Sequence, residues 1–554
     1  MMQAPAARMG RREFAAVAML LLALCTKLLL GVQHYLDISG GDDAMYLNLS
    51  RNLPGRLMPD FAPLYVVWLK LLVVLSGDPI SAYYLNLGCM VLFPALALAF
   101  FLYRAGFPAW STTLFSGLFL CSQVILHLSW NTYVGHLAAG LLLFWLAWSV
   151  QSEDPLLVML TGSIAALIIS YARPEFFLAY MTVSGLWVIL FVWRKWIGRL
   201  SWTRKHTRLL ILYITLSLVT MMGIGIPLGQ DAWRSWVAIF QHIIYNYALR
   251  HDLPYPFMES FNMTEYWKLF AGNSTDLKEI VTRNIPEIKA HLAFNFKEYW
   301  RVLSHNLGEV LVPARLFFNI PVWAQWGAIL AVIFIGYFTG SRGGRSGTGL
   351  LNRLRKHSWL LFTLLVISSP GILFSFLIFP REHYLVAQLP FYLAFILLVL
   401  LPQNIVYWQP GKWALPCVAF LLLLLSPRIQ EQQYEKIWGN YKKRTLVHDI
   451  KAIRELPVFD HKIRLLERET NMAAFLPGNC PVWFPYKEMP FDRFIDSNQV
   501  DIILVSEAMR IDRLYKNDPA FQQFTSGAYA NDWQKLRVIA SGDNIYIRKA
   551  LLEK

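Results

Sequence analysis

Charged residues are scarce in this chain. Only 16% of its 554 residues are Asp, Glu, Lys or Arg, against 56% hydrophobic. A water-soluble chain of this length carries nearer roughly a quarter charged. The shortage excludes an ordinary soluble protein, and the apolar residues gather in blocks of membrane-spanning length. Cysteine is sparse too. Of five, Cys25, Cys89, Cys121 and Cys417 fall in apolar segments, and Cys480 stands alone in a polar stretch. With no CxxC pair or Cys/His cluster, neither a disulfide framework nor a structural zinc site is suggested. Also absent are a Walker A loop, a Rossmann glycine fingerprint and an HExxH pair. A nucleotide-consuming pump and a cytoplasmic nucleotide-sugar enzyme therefore lack support.

What is present is organised by membrane topology. The net charge is +15, but the basic residues collect in a few loops between apolar blocks, as the positive-inside rule expects, which argues against nucleic acid as a partner. The chain starts basic, through Arg8, Arg11 and Arg12, and runs into an apolar block over 13–33. This reads as a retained first helix, because no small-residue cleavage site follows it. Further blocks lie at 80–103, 110–128, 134–150, 155–172, 176–193, 209–228, 318–339, 358–379, 384–402 and 413–427. The block at 61–76 is short and carries Lys70, which suits a helix lying along the interface. The pattern predicts about eleven spans. The most basic loops, 194–208 and 340–357, then fall on the cytoplasmic side with the N-terminus. The exoplasmic side receives the first loop (34–79), the long loop 229–317, the turn at 380–383 and the tail from 428.

That tail differs in composition. Residues 446–456 suit an amphipathic helix, and 462–467, 500–506, 536–541 and 545–549 suit strands, the last two joined by a turn holding Gly542 and Asn544. The expected fold class is an all-α polytopic membrane protein, residues 1–427, with a small exoplasmic α/β domain at 428–554.

Four segments carry the candidate chemistry. Asp42 and Asp43 follow the first span. Consecutive residues do not share a helical face, so one carboxylate can face a substrate while the other meets a metal, a backbone donor or a cation. The plainer reading is a helix cap. Arg173 and Glu175, in YARPEFF, sit at a membrane boundary where charge is costly unless paired or wetted. The plainer reading is a snorkelling arginine with a helix-start glutamate. Arg381, Glu382, His383 and Tyr384 crowd a short turn between spans. An arginine there can grip a phosphate with two N–H groups, or merely anchor at the interface. Asn131 and His136 can face the same cavity, although a lone histidine near a helix end is more often structural. The loop 229–317 is rich in aromatics, among them Trp233, Trp236, Tyr245, Tyr247, Tyr299 and Trp300. They suit sugar rings and lipid headgroups as well as an interfacial belt. Residues 273–275 fit a glycosylation sequon, a motif common by chance.

Taken in order, these segments resemble the polytopic glycosyltransferases of the GT-C fold that use polyprenyl-phosphate sugars. The closest in style are bacterial members related to protein mannosyltransferases and to the aminoarabinose transferase of lipid A. The likeness rests on the acidic pair with the run Tyr46 to Arg51, the Pro63–Trp68 segment, the Arg-Pro-Glu at 173–175, the Arg-x-x-Tyr…Pro at 381–390 and the tail. The resemblance implies an inverting transfer in a bacterial inner membrane, facing the periplasm. Asp42 would be the general base on the acceptor hydroxyl, and Asp43 would orient the acceptor or contact the donor. Arg381, then Arg173, would hold the donor phosphate, with Glu175, His383, Tyr384, His136 and Asn131 lining the cavity. The partners implied are a polyprenyl-phosphate sugar, a lipid, glycan or protein acceptor, and membrane lipids. The resemblance fixes no cofactor, though a divalent cation is compatible. Two departures stand out. Phe61 and Ala62 occupy the place of the Glu-Lys pair of aminoarabinose-type members, and the start of the fourth span offers Asn131, Thr132 and His136 in place of an acid. The first puts that sugar in doubt and the second makes a metal site less supported. Two other classes remain. A lipid or glycan transporter predicts charged or broken helices at mid-membrane. A non-catalytic scaffold predicts a dispensable acidic pair.

Overall fold

The computed structural model describes residues 9–552 apart from 39–41, 54–56, 127–132, 229–232, 253–267, 269, 271, 273–276, 318–319, 343–348, 402–410, 412, 427–444, 456–462, 468–471, 477–481, 484–488, 507–508, 511–512, 528–531 and 538–543. Six helices among the described residues are long and apolar enough to cross a membrane: Arg11–His34, Pro79–Ala105, Phe176–Trp196, Arg204–Gly223, Leu350–Leu377 and Glu382–Leu400. Shorter apolar helices cover Pro63–Ser76, Ala109–Cys121, Val134–Ser149, Pro155–Ser170, Val322–Phe334 and Ala414–Leu425. The chain is thus a predominantly helical, multi-pass membrane protein. Each expected apolar block overlaps one of these helices, but among the described residues six helices reach spanning length, against the eleven spans expected. In lipid the backbone must satisfy its own hydrogen bonds, which is why such blocks fold as helices.

The helix ends follow local chemistry. Pro79–Ala105 starts with a proline whose missing N–H costs nothing there, and Asp78 caps it by accepting from Ser81 N at 2.8 Å. Asp154 caps Pro155–Ser170 in the same way, accepting from Leu156 N at 3.0 Å. Between helices, small residues admit close approach. A side chain on Gly140 would sit 2.3 Å from the Phe93 ring, so at this spacing of the helices 79–105 and 134–149 any larger residue would force that ring to move. On the outside, Met222 (83% exposed), Phe334 (71%) and Leu75 (68%) face away from the protein, an apolar surface suited to lipid and not to water.

Residues of the 229–317 loop fold back onto the late helices. The helix Ile285–Leu311 buries a polar stripe of His291, Asn295, Tyr299 and Asn306. Asn295 donates to the Phe376 carbonyl at 2.9 Å, Tyr299 to Gln388 Oε1 at 2.9 Å and Asn306 to the Glu382 carbonyl at 3.1 Å. Buried polar groups need such partners, and here they fix where residues 381–384 lie.

The C-terminal residues form a five-stranded sheet, with β1 (Leu465–Leu466), β2 (Val482–Trp483), β3 (Ile502–Val505), β4 (Trp533–Arg537) and β5 (Asn544–Arg548). The order is β2-β1-β3-β5-β4, with β1 parallel to β2 and β3, and β5 antiparallel to β3 and β4. The helix Thr445–Arg454 precedes it, at the place the sequence pattern predicts. The short β2 was not foreseen, Asn544 opens β5, and the expected turn at Gly542 lies outside the described residues. Alternate residues of β3 enter two cores. Ile503 and Val505 pack with Phe491, Phe494, Phe521 and Phe524. Ile502 and Leu504 join Val447, Ile450 and Phe475, and that second core also takes in Ala44, Leu47, Ile80 and Tyr83 from the helical part.

Candidate functional site

The acidic pair opens the helix Asp42–Arg51. Asp42 is exposed, while Asp43 is buried, at 6%. Both carboxylate oxygens of Asp43 are enclosed without a hydrogen-bond partner among the described residues. Burial, and then the neighbouring Asp42, hold the Asp43 carboxyl well above the usual range, which favours its neutral form. The pair therefore divides as adjacent helical residues must, one facing out and one in.

Under Asp43 lies a chain of aromatic and amide groups. Tyr46 meets Tyr65 edge-on, with centroids 5.5 Å apart. The Tyr65 hydroxyl accepts from Asn86 Nδ2 at 2.7 Å, and Asn86 Oδ1 accepts from Trp68 Nε1 at 2.9 Å. Tyr65 also lies within electrostatic reach of Asp43. The helix Pro63–Ser76, which supplies Tyr65 and Trp68, is thereby tied to the helix Pro79–Ala105, which supplies Asn86.

Beside the pair stand the two arginine segments. Arg173 donates from Nε to Glu175 Oε1 at 2.6 Å and forms an ion pair with the same carboxylate. Burial works against the guanidinium's charge, but Glu175 more than offsets it, so the arginine is held above its ordinary pKa. Its guanidinium also lies 6.0 Å from the centre of the Tyr384 ring. The Tyr384 phenol is within electrostatic reach of Arg381, Arg173, Asp42 and Glu175. His383 packs edge-on to Tyr384 at 4.2 Å, and His242 approaches the same ring at 6.2 Å. Burial, with Arg381 and His291 nearby, lowers His242 to about 3, so its imidazole is neutral at physiological pH.

Asp42, Arg173, Glu175 and Arg381 thus all act electrostatically on Tyr384, although 342 positions of sequence separate Asp42 from Tyr384. His136 is buried at 1%, and its Nε2–H donates to the Ile125 carbonyl at 3.1 Å, a role in helix packing. Its neighbour Gly135 nonetheless lies against the His383 carbonyl, 3.0 Å from where a Cβ would stand. Asn131, Thr132, residues 273–275 and Cys480 lie outside the described residues. Among the described residues, no three His, Cys, Asp or Glu side chains group closely enough to hold a metal ion.

Sequence reasoning missed Tyr65, Asn86, Trp68 and His242. Tyr65 carried a weak signal, since Pro63–Trp68 was marked as a motif. His242 carried none, because only the tertiary fold brings it to Tyr384. No protein-family model matches the chain, and no curated protein is detectably similar to it.

Proposed function

We propose that this chain is an integral membrane glycosyltransferase, moving a sugar from a polyprenyl-phosphate donor to a hydroxyl of a lipid, glycan or protein on the exoplasmic face. The observation that carries the reading is the setting of Tyr384: one exposed carboxylate, Asp42, and two guanidiniums, Arg173 and Arg381, all lie within electrostatic reach of its phenol, Arg173 at 6.0 Å from the ring centre. That set suits a proton acceptor beside an anionic leaving group. Asp42 takes the acceptor's hydroxyl proton. The acceptor oxygen attacks the anomeric carbon, and the bond from that carbon to the donor phosphate oxygen breaks, inverting the centre. The polyprenyl phosphate departs with its charge met by Arg381. Arg173, already paired with Glu175, orients that phosphate and the Tyr384 ring. A single displacement needs no second carboxylate as nucleophile, which fits a buried Asp43. The setting is a bacterial inner membrane of about eleven spans, in the GT-C manner, with the N-terminus cytoplasmic and residues 428–554 periplasmic.

The test is sugar transfer by the purified full chain in lipid nanodiscs, offered a panel of hexosyl and pentosyl polyprenyl phosphates and acceptor lipids or glycans. Asp42→Asn is expected to lower kcat by ~10²-fold or more with the donor KM little changed. Full activity in Asp42→Asn would remove the base, and donor flipping without glycosyl transfer would favour a transporter.

A further inference from the structure

The acidic-pair helix is buried on two sides, and only one side is membrane protein. Asp43, Tyr46 and Ser50 follow helical spacing and turn inward, with Tyr46 in the core of the helical bundle. Ala44, Leu47 and Arg51 follow the same spacing on another face. Ala44 and Leu47 enter the core shared with Met472, Phe475 and Leu476 of the C-terminal region. Arg51 donates from one guanidinium nitrogen to the carbonyls of Ala473 at 3.0 Å and Ala474 at 2.9 Å. What remains outside is the rim bearing Asp42.

Two further ties bracket this contact. Asp37 is buried at 3% and lies five residues before the helix. Its carboxylate accepts from its own neighbour Ile38 N at 2.8 Å and from Leu446 N and Val447 N, each at 3.0 Å. A residue of the first loop thereby caps the helix Thr445–Arg454 of the C-terminal region, taking up backbone donors that would otherwise be unpaired. Arg454, near the other end of that helix, donates to Asp78 Oδ1 at 2.8 Å and to the Phe475 carbonyl. Asp78 uses its other oxygen to cap Pro79–Ala105.

We propose that the C-terminal α/β region is a clamp that sets the rotation and position of the acidic-pair helix, with Arg51 and Asp37 as positioning residues for the transfer. The inference rests on the reading of Asp42 as the base. Holding the helix by Ala44, Leu47 and Arg51 on one face and Tyr46 on the other leaves Asp42 no freedom to turn away from Tyr384. Asp37 needs both carboxylate oxygens to serve three N–H groups, so Asp37→Asn loses at least one bond while keeping the shape.

The experiment measures amide hydrogen exchange and sugar transfer on the full chain in nanodiscs. In Arg51→Ala and Asp37→Asn, exchange across 42–51 is expected to rise ~10-fold or more while the long spans stay protected. The value of kcat should fall ~10-fold with donor KM within about twofold, and Arg51→Lys should recover part of it. Asp496→Asn breaks the Arg548–Asp496 pair elsewhere in the same region and should leave both readouts at wild-type values. Unchanged exchange across 42–51 in both Arg51→Ala and Asp37→Asn overturns the clamp, as does an equal loss of transfer in Asp496→Asn. Should the wild type transfer no sugar, the proposed function falls and the exchange measurement alone decides the clamp.

Discussion

Asp43 and Asp78 are both capping-type aspartates near the ends of helices, yet their surroundings push them in opposite directions. Asp78 is partly buried, which works against its charge. The Ser81 amide and Arg454 outweigh that, and its carboxyl is held below the usual range. It binds fewer protons folded than unfolded, so its stabilisation is present above the unfolded pKa near 3.8 and is lost as pH falls through the lowered folded value. Asp43, buried with no hydrogen-bond partner among the described residues, is raised, so the folded state holds a proton the unfolded state gives up. Its contribution is favourable below 3.8 and is lost as pH rises through the raised folded value. Asp43→Asn supplies the neutral form permanently. It is expected to raise the apparent thermal midpoint at pH 7 and to flatten its decline as pH rises above 3.8. Thermal unfolding of the detergent-solubilised protein at several pH values checks this, and a lower midpoint at pH 7 would mean that the carboxylate is charged and paired. That the two adjacent aspartates would face different ways was legible from the helical pattern. That Asp43 would be the buried one was not, because the choice depends on Tyr46 and Tyr65 on one side and on Ala44 and Leu47 on the other.

At the scale of elements, the helices were the most legible part, since lipid leaves the backbone of an apolar block little alternative. The links between them were much less so. Asp37 reads as an unremarked loop residue until Leu446, 409 positions away, is found on its carboxylate. The Trp68–Asn86–Tyr65 chain is a second such link, joining Pro63–Ser76 to Pro79–Ala105. Asn86 is 4% exposed and supplies both an acceptor and a donor. Asn86→Ala strands the Trp68 N–H and removes the donor to Tyr65, a loss of about 2 kcal/mol on the scale of unsatisfied buried groups. Tyr65→Phe leaves the Asn86 amide and the Tyr133 backbone N–H, both of which reach the Tyr65 hydroxyl, short of a partner and should cost about 2 kcal/mol as well. Apparent thermal midpoints for the two single variants and the double variant test the link. If it is a chain, the double variant costs less than the sum of its parts.

At the scale of the whole molecule, the candidate site and the most basic segment lie at opposite ends of the same helix. Phe176–Trp196 begins three residues after Arg173 and ends in Arg194, Lys195 and Trp196. Its 21 residues span ~31 Å, about the thickness of a bilayer's hydrocarbon core. The far end is stitched to its neighbours by Asp154, which meets His206 Nε2 at 2.8 Å and Arg194 at 3.4 Å. Near the site end lie Asp42, Arg381 and, through the clamp, the C-terminal region. The proposed topology, which follows the positive-inside rule, puts the basic end in the cytoplasm and everything around Tyr384 on the other side. In a background with the native cysteines replaced by serine, single cysteines at the exposed positions Arg199 and Lys516 report the two faces. A membrane-impermeant maleimide applied to spheroplasts is expected to label Lys516→Cys directly, and Arg199→Cys only after permeabilisation. The reverse pattern would put the acidic pair on the cytoplasmic face, out of reach of a donor presented in the outer leaflet, and would remove the topological support for an exoplasmic transferase while leaving the packing of the site intact.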